Sequence, residues 1–392
     1  MRIIGETNIP FLSYRKIALT LSAVVIVGGL AYELGGPGLN FGIDFSGGTQ
    51  VTLKLRETPD LGQLREAMAR LGVGEPVIQR FDEAEKNEVM IRVQNPEGEE
   101  GDFTQPILDL MHEEFDQAGD TAFDLNTQGA QELTELLAEA DPEGIGADPD
   151  TLREHYRPQA EAVLDFRKEN GIFQSVDQLA QIEELSEPVH DLLRERTRAG
   201  AFALLGAESV GPAVGADLKE KAQKAIIFSL LGMLVYIWIR FQLPYGLGAV
   251  AALFHDVLIT LSALALTGRE INLPTIAALL TLVGYSVNDT VVVFDRVREN
   301  LRLHRGDELE GLMNQSINQT LSRTFITSGT TLLVVLTLYI FGGDVINTFA
   351  FVLLIGVLVG TYSSIFVASP VALAIHRMLI KRRERRRKKG RR

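Results

Sequence analysis

Six apolar runs constrain what this chain can become, because a helix of about 20 such residues crosses the roughly 30 Å hydrocarbon core of a bilayer. They cover residues 17–32, 225–239, 245–266, 273–294, 327–341 and 349–375. Between the first and the second runs a polar, acidic stretch, so the chain reads as a polytopic α-helical membrane protein with one large soluble domain. The last run carries Pro370, which is expected to kink that helix or mark its end. Arg15 and Lys16 before the first run resemble the start of a cleaved signal peptide. No small-residue cleavage site follows, however, and an uncleaved first span lets both chain ends share one side.

Loop cations orient such a bundle. Arg2, Arg15 and Lys16 precede the first span, Arg240 lies between the second and third, and Arg296, Arg298, Arg302, Arg305 and Arg323 lie between the fourth and fifth. A basic tail at 377–392 follows the sixth. All of these fall on one side, which is expected to be cytoplasmic. The opposing short loops hold only Arg269. The expected plan is a cytoplasmic N-terminus at 1–16, a first span at 17–33, an extracytoplasmic domain at 34–98 and 200–224 split by an acidic insertion at 99–199, five spans within 225–376, and the cytoplasmic tail.

The net charge of −13 disfavours nucleic acid as a partner, although it is the sum of an acidic soluble stretch and a basic tail. Beside a membrane helix such a tail is expected to touch anionic lipid, each cation contributing on the order of 1 kcal/mol. Cysteine is absent, which removes disulfides and thiolate metal sites. No metal, cofactor or enzymatic chemistry is expected.

Within the soluble stretch, residues 49–55 alternate like a strand, 61–71 have helical spacing, and 77–80 with 89–93 read as a hairpin turning at 85–87. A further strand at 202–210 precedes a helix from Ala216 that feeds into the second span. Together they predict a ferredoxin-like α+β domain. Two pieces of the insertion, Phe123-Asp-Leu-Asn-Thr-Gln-Gly-Ala-Gln-Glu-Leu and Val163-Leu-Asp-Phe-Arg-Lys-Glu-Asn-Gly-Ile-Phe-Gln-Ser-Val-Asp-Gln-Leu, resemble the tandem helix-hairpin-helix domain of DNA-uptake receptors. Its first hairpin keeps Gly144 and Gly146 among Asp141, Glu143, Asp148 and Asp150. The second reads Ile182-Glu-Glu-Leu-Ser-Glu-Pro, with carboxylates where a phosphate would sit. A protein contact or a spacer is therefore the favoured role.

Four further stretches point to a family. They are Phe41-Gly-Ile-Asp-Phe-Ser-Gly-Gly-Thr, Val283-Gly-Tyr-Ser-Val-Asn-Asp-Thr-Val-Val-Val-Phe-Asp-Arg-Val-Arg-Glu-Asn, Asn314-Gln-Ser-Ile-Asn-Gln-Thr-Leu-Ser-Arg-Thr and Gly360-Thr-Tyr-Ser-Ser-Ile-Phe-Val-Ala-Ser-Pro. They resemble the SecF family, the smaller half of the SecD/SecF accessory of the bacterial Sec protein-export channel. The resemblance covers nearly the whole chain outside the insertion. It implies a six-helix bundle of the RND superfamily, a SecD partner, and use of the proton-motive force to help a preprotein through the Sec channel.

Asp289 lies within an apolar span, where an ionised carboxylate costs several kcal/mol unless it is paired or hydrated. Arg323 enters the next span from the same side, and the family's intramembrane Asp and Arg fall on these two positions. They are the candidate ion-coupling pair; a static ion pair that fixes helix packing is the alternative. His255 and Asp256 form a secondary candidate, either on the same route or as a local polar pair. Ser286, Asn288 and Thr290 surround Asp289 in sequence and serve either as hydrogen-bond donors to it or as helix glue.

Asp44 with Gly42, Gly47 and Gly48 is a candidate hinge where the domain meets the membrane, or simply a tight turn. Gly356 and Gly360 form a G-x-x-x-G that permits close approach of another helix, within this chain or in a partner. Two other function classes stand beside protein export. One is an RND-like half-transporter of small molecules or lipids, and the other is a DNA-uptake receptor.

Overall fold

The computed structural model describes residues 7–36, 38–73, 76–81, 87–94, 101–116, 122–304 and 308–389. Arg2, Arg305, the hairpin residues 85–86, the insertion's first residue Glu99 and tail residues 390–392 lie outside them. Two compact units emerge, one of Met1–Gly42 with Asp217–Arg392 and the other of Ile43–Ala216. The chain opens with a short 3-10 turn, Phe11–Tyr14, then helix α1 (Arg15–Gly35) and strand β1 (Asn40–Phe41).

The second unit begins with a single helical turn, α2 (Ile43–Ser46), and strand β2 (Gly48–Leu55). Helix α3 (Leu61–Ala69) follows, capped by the Asp60 carboxylate on the amides of Gly62 and Gln63. Strands β3 (Val77–Phe81) and β4 (Glu88–Val93) and helix α4 (Thr104–Phe115) come next. Ile107 and Met111 of α4 are fully buried with Leu64 and Met68 of α3 against Val51, Leu53, Val89 and Ile91 of the strands.

Helix α4 therefore belongs to the sheet domain, and the insertion starts after it rather than at residue 99. The helix is short and sits in an acidic stretch, so its one apolar face was read with the insertion. The insertion itself runs through β5 (Phe123–Asp124), α5 (Ala130–Ala140), α6 (Pro149–Asn170), a 3-10 turn at Val176–Gln181, α7 (Glu187–Arg196) and β6 (Thr197–Arg198). It has its own core of Leu133, Leu137, Tyr156, Val163, Phe173 and Leu193. β5 and β6 pair in parallel, which closes its neck.

The chain returns as β7 (Phe202–Val210), and the sheet order is β3-β4-β2-β7, antiparallel throughout. With α3 and α4 between the strands, this is the expected ferredoxin-like βαββαβ arrangement.

Back in the first unit, α8 (Pro212–Arg240) and α9 (Leu243–Thr267) lead to β8 (Glu270–Ile271), which pairs with β1. Helices α10 (Leu273–Leu303), α11 (Leu309–Phe341) and α12 (Gly343–Ser363) follow; a π-helical turn, Ser364–Ala368, then joins α12 to α13 (Ser369–Lys389). Among the described residues six helices are long and apolar enough to span a membrane: Phe11–Gly35, Pro212–Arg240, Leu243–Thr267, Leu273–Leu303, Leu309–Phe341 and Ile346–Arg382. They outrun the apolar runs because a helix continues into water on polar residues, as α8 does with ion pairs Lys221–Asp217 and Lys224–Glu220 four residues apart. Residues 217–224 thus belong with the bundle, and so do residues 34–42.

The sixth span does not stop at Pro370. The turn before it widens to π geometry, and the Ser369 hydroxyl bonds the Ser364 carbonyl at 3.0 Å. Small residues let the helices approach. A Cβ on Gly356 would strike Leu282 of α10, and one on Gly360 would press on Ser286 at 3.3 Å, so the G-x-x-x-G faces a helix of this chain.

Both ends of the bundle are tied. At one, Glu310 pairs with Arg15 at 2.5 Å and with Arg377 at 2.6 Å, while Asn314 and Asn318 of α11 bond the backbone of Leu12 and Ile9. Much of the fifth span's leading motif is thereby explained as an anchor for the N-terminal segment. At the other end Arg269 stacks on Phe351 at 4.4 Å and bonds Asn347 at 2.6 Å.

Candidate functional site

Asp289 is carried by α10 into the middle of the bundle, where it is 2% exposed. The Ser328 hydroxyl of α11 donates to its Oδ2 at 3.0 Å. Thr361 of α12 lies 3.4 Å from the same oxygen and donates to Ser328 at 2.8 Å, so two hydroxyls run in series onto the carboxylate. Arg323 stands exposed on α11, about 7.5 Å before Ser328 along the axis at 1.5 Å per residue. Its charge reaches Asp289, but the two make no ion pair in this structure. The carboxylate is held by hydroxyls on both neighbouring helices instead.

A second polar cluster surrounds Asp256 of α9, which is fully buried. His255 Nδ1 lies 2.8 Å from its Oδ1, while Ser286 of α10 and Ser363 of α12 donate to its Oδ2 at 2.5 and 2.7 Å. His255 Nε2 lies 2.8 Å from the Ser22 hydroxyl of α1, which lies 3.2 Å from the Tyr362 hydroxyl. Tyr362 in turn donates to the Ala18 carbonyl at 2.7 Å. Three consecutive residues of α12 therefore serve three partners: Thr361 faces Asp289, Tyr362 faces α1, and Ser363 faces Asp256. The π-helical turn begins at the next residue, and such turns recur where helices do work.

Of the residues flanking Asp289 in sequence, Ser286 serves Asp256 rather than Asp289. Asn288 is exposed on the outer face, and the buried Thr290 hydroxyl finds no hydrogen-bond partner. Sequence reasoning missed Ser22, Ser328, Thr361, Tyr362 and Ser363. For Ser328 the signal was a hydroxyl-rich interval in span five, and for Thr361, Tyr362 and Ser363 it was the motif that begins at Gly360; Ser22 carried none, since such residues are common in membrane helices for packing alone.

Asp44 sits in α2, and Gly47 and Gly48 follow with φ of 70° and 133°, where a side chain is strained. A Cβ on Gly47 would meet the Pro212 backbone at 2.9 Å, and one on Gly48 would collide with the Val93 carbonyl. Gly47 thus lets the start of β2 approach the chain leaving the domain after β7, and Gly48 lets it approach the end of β4. Gly42 instead donates its amide to Ile271 in the bundle, at 2.9 Å, and the compact units part directly after it.

In the soluble unit, His112, Asp116 and Asp124 converge in the geometry of a cation site. Arg198 already supplies the cation, at 2.8 Å from Asp116 and 3.4 Å from Asp124. Burial pushes the Asp116 carboxyl up, but hydrogen bonds from Arg198, His112 and the Ala201 amide together outweigh it and hold it at about 2. The cluster is an ionic clasp between α4 and the insertion's neck. In the insertion's first hairpin, the amides of Ile145 and Gly146 bond the Asp141 carboxylate at 3.1 and 2.8 Å. The amides that would cradle a phosphate are therefore occupied by the chain's own anion.

Comparison with known proteins places these features. Residues 191–378 match the family model of the protein export membrane protein SecD/SecF C-terminal region, and residues 34–59 match that of the SecD/SecF GG motif. The protein translocase subunit SecF of Koribacter versatilis is 42% identical, over 95% of this chain and 93% of its own length. That of Desulfurispirillum indicum is 38% identical, over 92% and 90%. The crystal structure of SecDF, a translocon-associated membrane protein of Thermus thermophilus, matches 95% of this chain with a TM-score of 0.66 and 28% identity. SecDF in its super-membrane-facing form matches 98% with a TM-score of 0.55. This chain spans only 39% and 41% of those two chains. With curated relatives well above 30% identical and matched along almost their whole length, the chain belongs to the SecF family of protein translocase subunits.

Proposed function

We propose that this chain works beside a SecD partner in the bacterial inner membrane and spends the proton-motive force on helping a preprotein through the Sec channel. Both termini are cytoplasmic in this reading, the Ile43–Ala216 unit is periplasmic, and the basic tail lies against anionic lipid. Protons are carried by Asp289, and Arg323 supplies the counter-charge in the state where the carboxylate is ionised. His255 and Asp256 form an accessory polar station, and the Gly42–Gly48 segment carries helix movement to the soluble domain. No covalent chemistry, metal or cofactor is needed.

The observation that carries this reading is Asp289 itself, a carboxylate buried at 2% exposure in a membrane helix with only neutral hydroxyls in hydrogen-bond contact. An ionised carboxylate there costs about 2.5–3.5 kcal/mol on insertion scales. Gain and loss of a proton therefore change the energy of the local helix packing. Thr361 of α12 and Ser328 of α11 touch the carboxylate directly, so those two helices respond first. One charge moving through 100 mV releases about 2.3 kcal/mol, and a few protons suffice to bias a two-state motion.

The coupling ion in this reading is H⁺, which one buried carboxylate carries by protonation. The filled hairpin of the insertion supports a protein contact over DNA. The test is Asp289→Asn, which keeps the shape and removes the proton. It is expected to abolish gradient-dependent preprotein translocation into inverted membrane vesicles while SecD still co-purifies. Undiminished gradient-dependent translocation by that variant would overturn the assignment.

A further inference from the structure

At the arginine-rich end of the bundle, α8 and α9 leave an apolar groove of about 280 Å³ lined by Leu234, Trp238, Phe241, Leu247 and Val250. Trp238 is 75% exposed at its rim, an amphipathic ring where a membrane interface favours one. Next to it a polar pocket of about 350 Å³ is formed by Arg240, Asp295, Arg298, Glu299 and Arg302. Arg240 lines the pocket and neighbours Phe241 of the groove. Its guanidinium lies 5.0 Å from the centroid of the Phe241 ring in the groove and 2.5 Å from Asp295 in the pocket.

The charges in the pocket do not cancel. Asp295 is paired with Arg240, and Glu299 is drawn to Arg296 at 2.6 Å. Arg298 and Arg302, one turn apart on α10 and both exposed, have no ion pair among the described residues. Two unmatched guanidiniums in a pocket that Arg240 and Phe241 join to an apolar groove form a two-part site: planar donors suited to phosphate oxygens in one part, and hydrocarbon in the other.

We infer that this groove and pocket bind one anionic phospholipid of the adjacent leaflet, its phosphate on Arg298 and Arg302 and an acyl chain along Trp238 and Phe241. A zwitterionic lipid fits the groove equally but brings its own cation to the arginines, so the site discriminates by headgroup charge. The site lies away from Asp289 and stands independently of the coupling mechanism.

Trp238 is the chain's only tryptophan, so its fluorescence reports on this groove alone. The full chain is reconstituted in phosphatidylcholine vesicles holding a small fraction of brominated lipid, which quenches tryptophan on contact. Brominated phosphatidylglycerol is expected to quench several-fold more than brominated phosphatidylcholine at the same fraction. The double variant Arg298→Gln, Arg302→Gln is expected to bring the two lipids level, and Arg298→Lys, Arg302→Lys to keep the preference. Equal quenching by both lipids in the unaltered chain overturns the inference, as does no quenching by either, the result if a protein helix fills the groove. Persistence of the preference in the glutamine pair overturns it too, and so does its loss in the lysine pair.

Discussion

A carboxylate held by hydroxyls rather than by a cation depends on those hydroxyls for its geometry in every protonation state. Ser328 and Thr361 form that shell around Asp289. Replacing them together, Ser328→Ala with Thr361→Val, keeps volume nearly constant and removes both donors. Gradient-dependent translocation in vesicles is expected to fall by about thirtyfold, consistent with about 1 kcal/mol for each of the two hydrogen bonds. Assembly with SecD is expected to be unchanged, and full activity would remove the two residues from the mechanism. Asp289 was legible in sequence because a charge in an apolar run has no bland explanation. Its two donors were not, because hydroxyls are ordinary in membrane helices and only their contacts single them out. Arg323 was legible as a cation at the right depth, yet the sequence did not reveal that it would stand apart from Asp289.

Asp116 gives a second prediction at this scale. Its ordinary carboxyl value of 3.8 falls to about 2 in the folded domain, so folding favours the ionised form. The stabilisation is complete above pH 4 and fades as pH drops through 2, amounting to on the order of 1–2 kcal/mol. Melts of the soluble segment between pH 7 and 2 are expected to show this loss, and Asp116→Asn to be less stable at pH 7 and flatter below pH 4. Equal pH dependence in both would show that the clasp carries no such linkage.

Among the elements, α12 is the one on which the polar clusters converge, and its approach to α10 depends on two glycines. Any side chain on Gly356 displaces Leu282, and one on Gly360 presses on Ser286 beside the Asp256 carboxylate. Gly360→Val is expected to push α12 from α10, disturb the Asp256 cluster and reduce translocation more than Gly356→Ala, whose methyl meets a flexible side chain. Overpacking of this kind costs about 1–3 kcal/mol, which thermal unfolding in detergent measures. The reverse ranking would place the tight seam elsewhere. The spans themselves were readable because hydropathy reports the solvent a helix sits in. Their ends were not, since α8 and α10 run on into water on polar pairs such as Lys221–Asp217 and Arg296–Glu299, and the start of α11 is held by Arg15 and Arg377 from elsewhere in the chain. Helix α4 was misassigned for a related reason: its burial against β2 and β4 is a long-range fact that a short amphipathic segment does not announce.

Across the whole molecule, the soluble unit is built as a domain within a domain. The sheet and its two helices share one core and the insertion has another, with no buried residue assigned to both. The insertion leaves and rejoins through β5 and β6, where Phe123 pairs with Thr197. The two strands run parallel, so a link between them must cross back to the start of β6 and takes about a dozen residues rather than a tight turn. Residues 43–216 made alone are therefore expected to melt cooperatively, and so is the same segment with 124–196 replaced by a flexible Gly-Ser linker of about 12 residues. The shortened form loses the Asp124 contact to Arg198 but keeps the closer one from Asp116, so the ionic clasp survives in part. Circular dichroism is expected to show less helix and an intact sheet. If the shortened form is instead unfolded while the full segment folds, the insertion is part of the sheet domain's stability rather than a module set upon it.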